Sequence, residues 1–142
     1  MLDISNLAGA VNALSVAVRL AKKYEDKRGD TENDGDLEYA FARSAVIQNF
    51  EVAYEASWKF MKRWLELNVG EDSVKGVVRR EFFRIAAENL LIDDTVFWFH
   101  VHDSRNKTSH IYHEDVADEV YKTAKEFAPV VQAFVSNMEK RL

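Results

Sequence analysis

One proline and five glycines in 142 residues are the strongest constraint on how this chain folds. So few breakers leave long stretches free to run as helices, and apolar residues recur through them at spacings of three and four. Ile4, Leu7, Val11, Leu14, Val18 and Ala21 mark one stripe of a helix over about Ile4–Tyr24. The polar run Glu25–Asp36, with Gly29, Asn33, Asp34 and Gly35, is the clearest loop. A long second helix is expected over Leu37–Asn68, with Val46, Phe50, Ala53, Ser57, Phe60, Trp64 and Leu67 inward. Ile47, Tyr54 and Met61 widen that stripe enough to meet two neighbours, and Gly70 suits the stop.

A third helix is expected from an Asp72 or Ser73 cap to about Asn89, with Val74, Val78, Phe82 and Ile85 inside. A fourth is expected after an Asp93 cap, with Val96, Phe97 and Val101 inside. The last begins near Glu114, with acidic residues at its positive end and Lys140 and Arg141 at its negative end. Pro129 lies within its stripe and predicts a kink or short break. No segment reads as a strand. The expected fold is all-α, an up-and-down bundle of about five helices forming one domain over residues 1–142.

The bulk numbers exclude several classes. There are no cysteines, so disulfides and thiolate metal sites are ruled out, in keeping with a reducing cytoplasm. No run approaches ~18 apolar residues, and the start MLDISNLAGAV lacks the pattern of a signal peptide, so neither a membrane span nor export is expected. A net charge of −5 argues against broad, non-specific nucleic-acid binding, and DNA is not an expected partner. A small basic site on an acidic body is compatible with that charge.

The segment richest in chemistry is Arg105-Asn106-Lys107-Thr108-Ser109-His110-Ile111-Tyr112. Histidine exchanges protons near neutrality. Arginine presents a charged planar fork to phosphate oxygens. Asparagine both donates and accepts, and tyrosine adds a hydroxyl. This set suits phosphodiester chemistry without a metal or cofactor. On an unbroken helix, residues five apart diverge by about 140°. Arg105 and His110 therefore converge only if the helix stops between them, or if a second subunit brings its own copy alongside. Thr108 and Ser109 suit such a stop. The plain alternative is an exposed helix-end salt bridge.

RNKTSHIY resembles the Arg-x4-His-x-Tyr motif of HEPN toxin proteins, including the polar residue after the arginine. The stretches Asn49–Glu66 and Arg105–Tyr121 resemble the HepT-like branch labelled nucleotidyltransferase substrate-binding proteins. The resemblance implies a homodimeric bundle that brings two motifs into one cleft and cleaves RNA without metal. In it His110 is the general base on a ribose 2′-hydroxyl, Arg105 stabilises phosphate charge, and Asn106 orients the histidine or the phosphate. It implies 2′,3′-cyclic phosphate products and a minimal nucleotidyltransferase partner as antitoxin. That partner would transfer AMP to Tyr112, adding bulk and negative charge beside Arg105. The same family also supports a different function, a non-catalytic subunit that binds substrate or nucleotide for the transferase.

Other residues carry rival readings. Lys107, Trp98 and His102 are candidate RNA contacts, Trp98 because its spacing from His102 and Arg105 suggests a shared face. His100, His102 and His113 flank the motif without being known family signatures. His100-x-His102 and His110-x-x-His113 with Asp103 could supply metal ligands, although positions 100 and 102 point to nearly opposite sides of a helix. No metal is assigned. Asp34-Gly35-Asp36 has the spacing of paired metal-binding carboxylates but reads as a turn. Lys59, Lys62, Arg63, Lys75, Arg79, Arg80 and Arg84 form two basic clusters that guide RNA or simply face solvent. Glu51 and Glu55 interrupt a largely apolar helix; the plain reading is that both are exposed, and the lesser alternative is that one of them supports the motif arginine.

Overall fold

The computed structural model describes residues 2–142. Five helices account for most of it: α1 (Ser5–Glu25), α2 (Gly35–Asn68), α3 (Arg79–Glu88), α4 (Thr95–Asn106) and α5 (Glu114–Arg141), with a 3-10 turn at Lys107–His110 between the last two. Among the described residues there is no strand. No helix is long and apolar enough to cross a membrane.

Side-chain contacts give the helix directions. Leu7 lines a groove with Ala56 and Phe60, while Tyr24 lines another with Leu37 and Phe41, so α1 and α2 run antiparallel. Phe50 meets Phe127 and Phe60 meets Phe134, so α5 lies along α2 in the same sense. His102 meets Tyr54 and Arg105 meets Glu51, so α4 runs against α2. The buried stripes of these helices converge on one core in which Leu14, Val46, Phe50, Tyr54, Phe83, Val101 and Phe127 are fully enclosed. Phe127 is its hub, edge-on to both Phe50 and Trp98.

Three local expectations are corrected. The third helix starts at Arg79, because residues 71–77 form successive turns with Gly76 at φ +69. Val78 consequently precedes the helix and is exposed, while Phe82, Phe83 and Ala86 form the buried side. The fourth helix is capped by Asp94, whose carboxylate accepts the Phe97 N–H at 3.0 Å; this one-residue shift leaves Val96 exposed. Around Pro129, α5 continues without a break. Pro129 costs one backbone bond, while buried Phe127, Ala128, Val131 and Phe134 hold both sides of the helix on the core.

Of Asp34-Gly35-Asp36, expected as a turn, only Asp34 lies in the turn, at φ 59, and Gly35 and Asp36 open α2. The Asp36 carboxylate accepts the Gly29 N–H, closing the loop on itself. A Cβ at Gly35 would sit 2.4 Å from the Lys27 carbonyl oxygen, so only glycine fits where this loop passes the start of α2.

A buried ion network then fixes the start of α5. Arg43, only 6% exposed, donates to Asp118 at 2.9 Å and to Glu114 at 2.9 Å. Tyr39 donates to Asp118 at 2.9 Å, and Arg28 from the loop also pairs with Asp118. The Arg43 hydrogen bond holds the Glu114 carboxyl below its ordinary range. Burial pushes Asp118 upward, but its bonds from Arg43, Arg28 and Tyr39 outweigh that and lower it. Because α5 begins immediately after the motif, this network also anchors the turn that carries His110.

Candidate functional site

The motif sits where α4 ends. Helical hydrogen bonding runs to Asn106 and then tightens into the 3-10 turn Lys107–His110. Thr108 makes the stop: its hydroxyl donates to the Arg105 carbonyl at 2.8 Å and accepts from Arg105 Nη1 at 3.1 Å. Thr108 is buried, so this clasp is shielded from water. The helix therefore stops between Arg105 and His110.

Arg105 faces α2, not open solvent. Its Nε lies 3.6 Å from Glu55 Oε1 and its Nη1 3.8 Å from Glu51 Oε2. Glu51 and Glu55 are one helical turn apart, so both reach the same side of α2. These two acidic interruptions of an apolar helix are supports for the motif arginine. The Arg105 Nε is buried without a hydrogen-bond partner, its nearest carboxylate lying just beyond bonding distance. The guanidinium is thus held by charge while its remaining donors stay uncommitted.

Behind it runs a second chain of contacts. Arg79 Nη1 donates to Tyr54 Oη at 2.9 Å, and Tyr54 Oη lies 2.7 Å from His102 Nδ1. His102 Nε2 is 3.4 Å from the Asn106 carboxamide nitrogen. Arg79 stacks over the Trp58 ring at 3.7 Å, and Trp58 Nε1 donates to Glu55 at 3.2 Å. Arg79, Trp58 and Glu55 thereby link α3 to the carboxylates that hold Arg105. Burial pushes the Tyr54 phenol up to about 12. Burial, reinforced by Arg79, lowers His102 below the usual histidine value and keeps the ring neutral near pH 7.

His110, Tyr112 and His113 lie just beyond, all exposed. Tyr112 packs edge-on to His110 with ring centroids 6.3 Å apart, and its ring lies 4.4 Å from that of His113. Among the described residues no hydrogen bond joins His110 to Arg105 or Asn106. A single chain therefore holds Arg105 against α2 and leaves His110 and Tyr112 exposed after the stop.

The candidate RNA contacts fare differently. Lys107 is bonded to Glu119 at 2.7 Å but remains at the surface. His102 is half-buried in the Tyr54 contact. Trp98 is corrected: it is 2% exposed, enclosed by Phe83, Phe127 and Phe134. Two turns below Arg105 on α4, Trp98 meets α3 and α5 in the core, whereas Arg105 meets α2.

The histidine pair 100 and 102 splits across α4. His100 bonds Thr123 of α5 at 3.2 Å while His102 turns to α2. Among the described residues no group of three acidic or histidine side chains is placed to hold a metal ion. Of the basic clusters, Arg79 is committed to Tyr54 and Trp58, and Arg80 and Arg84 approach the Phe99 ring. Sequence reasoning missed Tyr54 as a polar participant, because its position on an apolar stripe marked it only as packing.

Comparison with known proteins agrees with this geometry. Residues 2–140 match the family described as nucleotidyltransferase substrate binding protein like. A curated relative, the probable ribonuclease HepT of Haemophilus influenzae, is 35% identical over 85 residues. That match covers 59% of this chain and 58% of the relative, so it spans less than two thirds of the relative's length. The solved structure of HI0074 from Haemophilus influenzae, described as the fold of a substrate binding domain of a nucleotidyltransferase, superposes with a TM-score of 0.72 at 26% identity. It covers 91% of this chain and 98% of that one. With its five-helix bundle and its Arg105–Tyr112 motif, the chain belongs to the nucleotidyltransferase substrate-binding-protein-like family, the HepT-like branch of the HEPN proteins.

Proposed function

We propose that this chain is a metal-independent endoribonuclease, the toxin of a HEPN–nucleotidyltransferase pair. The observation that carries the reading is the helix stop at Asn106. It gathers Arg105 and Asn106 on the α2 side of the turn and presents His110 and Tyr112 just beyond. The ribonuclease name of the curated relative supports the same reading.

In the proposed reaction His110 takes the proton of a ribose 2′-hydroxyl as that oxygen attacks the adjacent phosphorus. Arg105 stabilises the charge gathering on the non-bridging oxygens, and Asn106 donates to one of them. The bond to the 5′-oxygen breaks, that oxygen takes a proton from solvent water, and His110 returns its proton to the solvent. The products are a 2′,3′-cyclic phosphate and a 5′-hydroxyl. Because no hydrogen bond among the described residues joins His110 to Arg105 or Asn106, the reading includes a homodimer in which a two-fold axis sets two turns side by side.

Tyr112, 76% exposed and beside His110, is the proposed acceptor of AMP from the nucleotidyltransferase partner. The phenolic oxygen would attack the α-phosphorus of ATP and displace pyrophosphate. The added phosphate would then occupy the ground an RNA phosphate needs.

The test is incubation of the purified chain, without partner and with chelator present, with cellular RNA, beside a His110→Ala variant. Cleavage to cyclic phosphates that vanishes in the variant is expected. Equal cleavage by both proteins would sink the mechanism. An intact dimer that cuts no RNA would favour a non-catalytic substrate- or nucleotide-binding subunit, the role that the description of the solved relative suggests.

A further inference from the structure

The contacts around His102 have a direction. Tyr54 is fully enclosed, and its hydroxyl has two neighbours, Arg79 Nη1 and His102 Nδ1. Arginine can only donate, so the Tyr54 oxygen accepts from it. The Tyr54 proton then has one destination, the lone pair of His102 Nδ1 at 2.7 Å. The opposite arrangement, with Nδ1 protonated, would leave a buried hydroxyl proton without an acceptor, which is costly.

A neutral ring that accepts at Nδ1 carries its proton on Nε2. Nε2 faces the side chain of Asn106, and an N–H there requires an acceptor. The Asn106 carboxamide supplies one by presenting its oxygen, since its two ends have the same shape and the hydrogen-bond pattern decides between them. With the oxygen turned toward His102, the NH2 group is the end turned away from the ring.

We propose that His102 is a positioning residue: with Arg79 and Tyr54 it forms a one-way hydrogen-bond relay that fixes the Asn106 carboxamide with its NH2 outward, as an oriented donor to a phosphodiester oxygen. The relay deepens the ribonuclease reading and rests on it for its catalytic consequence. It gives His102 a role behind the site, in place of direct contact with RNA. It also explains why Arg79 is turned inward toward Tyr54: its charge orients the phenol. An Asn106 free to rotate would spend part of its time presenting an oxygen to the phosphate, where like charge repels.

The experiment has three arms. Long-range proton–nitrogen NMR of the full chain should show His102 with Nε2 protonated and Nδ1 bare near neutral pH. Cleavage of a defined RNA oligonucleotide should lose about tenfold in kcat in Tyr54→Phe and in His102→Leu, since donor alignment matters most in the transition state. His102→Gln, whose amide nitrogen stands in for Nε2, should retain most of the activity that His102→Leu loses. Leucine fills similar space, so a merely packing role would make both variants alike.

The third arm measures affinity for the same oligonucleotide 2′-O-methylated throughout, which cannot be cleaved by this chemistry. Its binding should weaken in His102→Leu. A ring protonated on Nδ1 overturns the relay, as does wild-type behaviour in both Tyr54→Phe and His102→Leu. If the wild type cuts nothing, the ribonuclease reading fails. The relay is then judged by ring protonation and by the methylated RNA alone. Absence of any RNA binding by the wild type overturns both.

Discussion

Arg105 Nε faces Glu55 Oε1 at 3.6 Å across the seam between α4 and α2, with Glu51 one turn below contributing a second carboxylate at 3.8 Å. An arginine proposed to meet phosphate is thus already balanced by two negative charges in the free chain. The carboxylates aim the guanidinium and also weaken its pull on RNA. Replacing both, as Glu51→Gln with Glu55→Gln, should tighten RNA binding about threefold while lowering kcat by about tenfold, a rise of roughly 1.4 kcal/mol in the barrier from the bound complex. Steady-state kinetics on one oligonucleotide separate these effects. An unchanged kcat would show that the carboxylates do not position the arginine.

Trp98 is interior, so its substitution should act on stability and leave RNA affinity alone. Trp98→Ala should cost about 3–5 kcal/mol in denaturant unfolding, through the cavity left among Phe83, Phe127 and Phe134. Trp98→Phe, which keeps most of the volume, should bind RNA as the wild type does. Weaker binding by a stable, folded Trp98→Phe would restore it as a base-stacking residue.

The Arg43 network gives the fold an acid limit. Glu114 and Asp118 both titrate below their ordinary values of 4.5 and 3.8 in the folded chain. A carboxyl lowered by folding contributes stability that is fully present above its unfolded value and is lost as pH falls through its folded value. Stability should therefore be flat from pH 7 to about 5 on account of these groups and decline below about 4. Arg43→Met should cost about 2 kcal/mol at neutral pH and flatten that decline. A variant with the wild-type acid profile would show that Arg43 does not set it.

Leu90 closes α3 in the left-handed region, at φ +63, with its side chain 81% exposed. A left-handed leucine costs roughly 1–2 kcal/mol that glycine does not, and little buried surface is at stake. Leu90→Gly should raise stability by about 0.5–1 kcal/mol after the greater freedom of glycine in the unfolded chain is subtracted. Thermal unfolding measures it, and a lower Tm would mean that the exposed leucine packs against something in the assembled protein.

The helices were legible in the sequence wherever apolar spacing spoke without interruption. The limits of α1, α2 and α5 lie within two residues of those the stripes suggest, and the loop before α2 followed from composition. The start of α3 was hidden because Val74 and Val78 continue a helical spacing through a segment that turns. The motif was legible as a list of residues, including the stop that Thr108 and Ser109 suggested.

Partnership between segments was not legible. Periodicity is a local property and tells which side of a helix is apolar, whereas burial depends on what the neighbouring helix places opposite. Arg105 meets Glu51 and Glu55, and His102 meets Tyr54, across about fifty intervening residues. Trp98 and Arg105 are seven residues apart on α4, yet the packing of α3 and α5 encloses the first and leaves the second at the edge. The sequence by itself determined the all-α class, the helix stop and the chemical groups gathered there. Only the tertiary structure decided which of those groups are held and by what, because helix packing joins side chains that no local pattern connects.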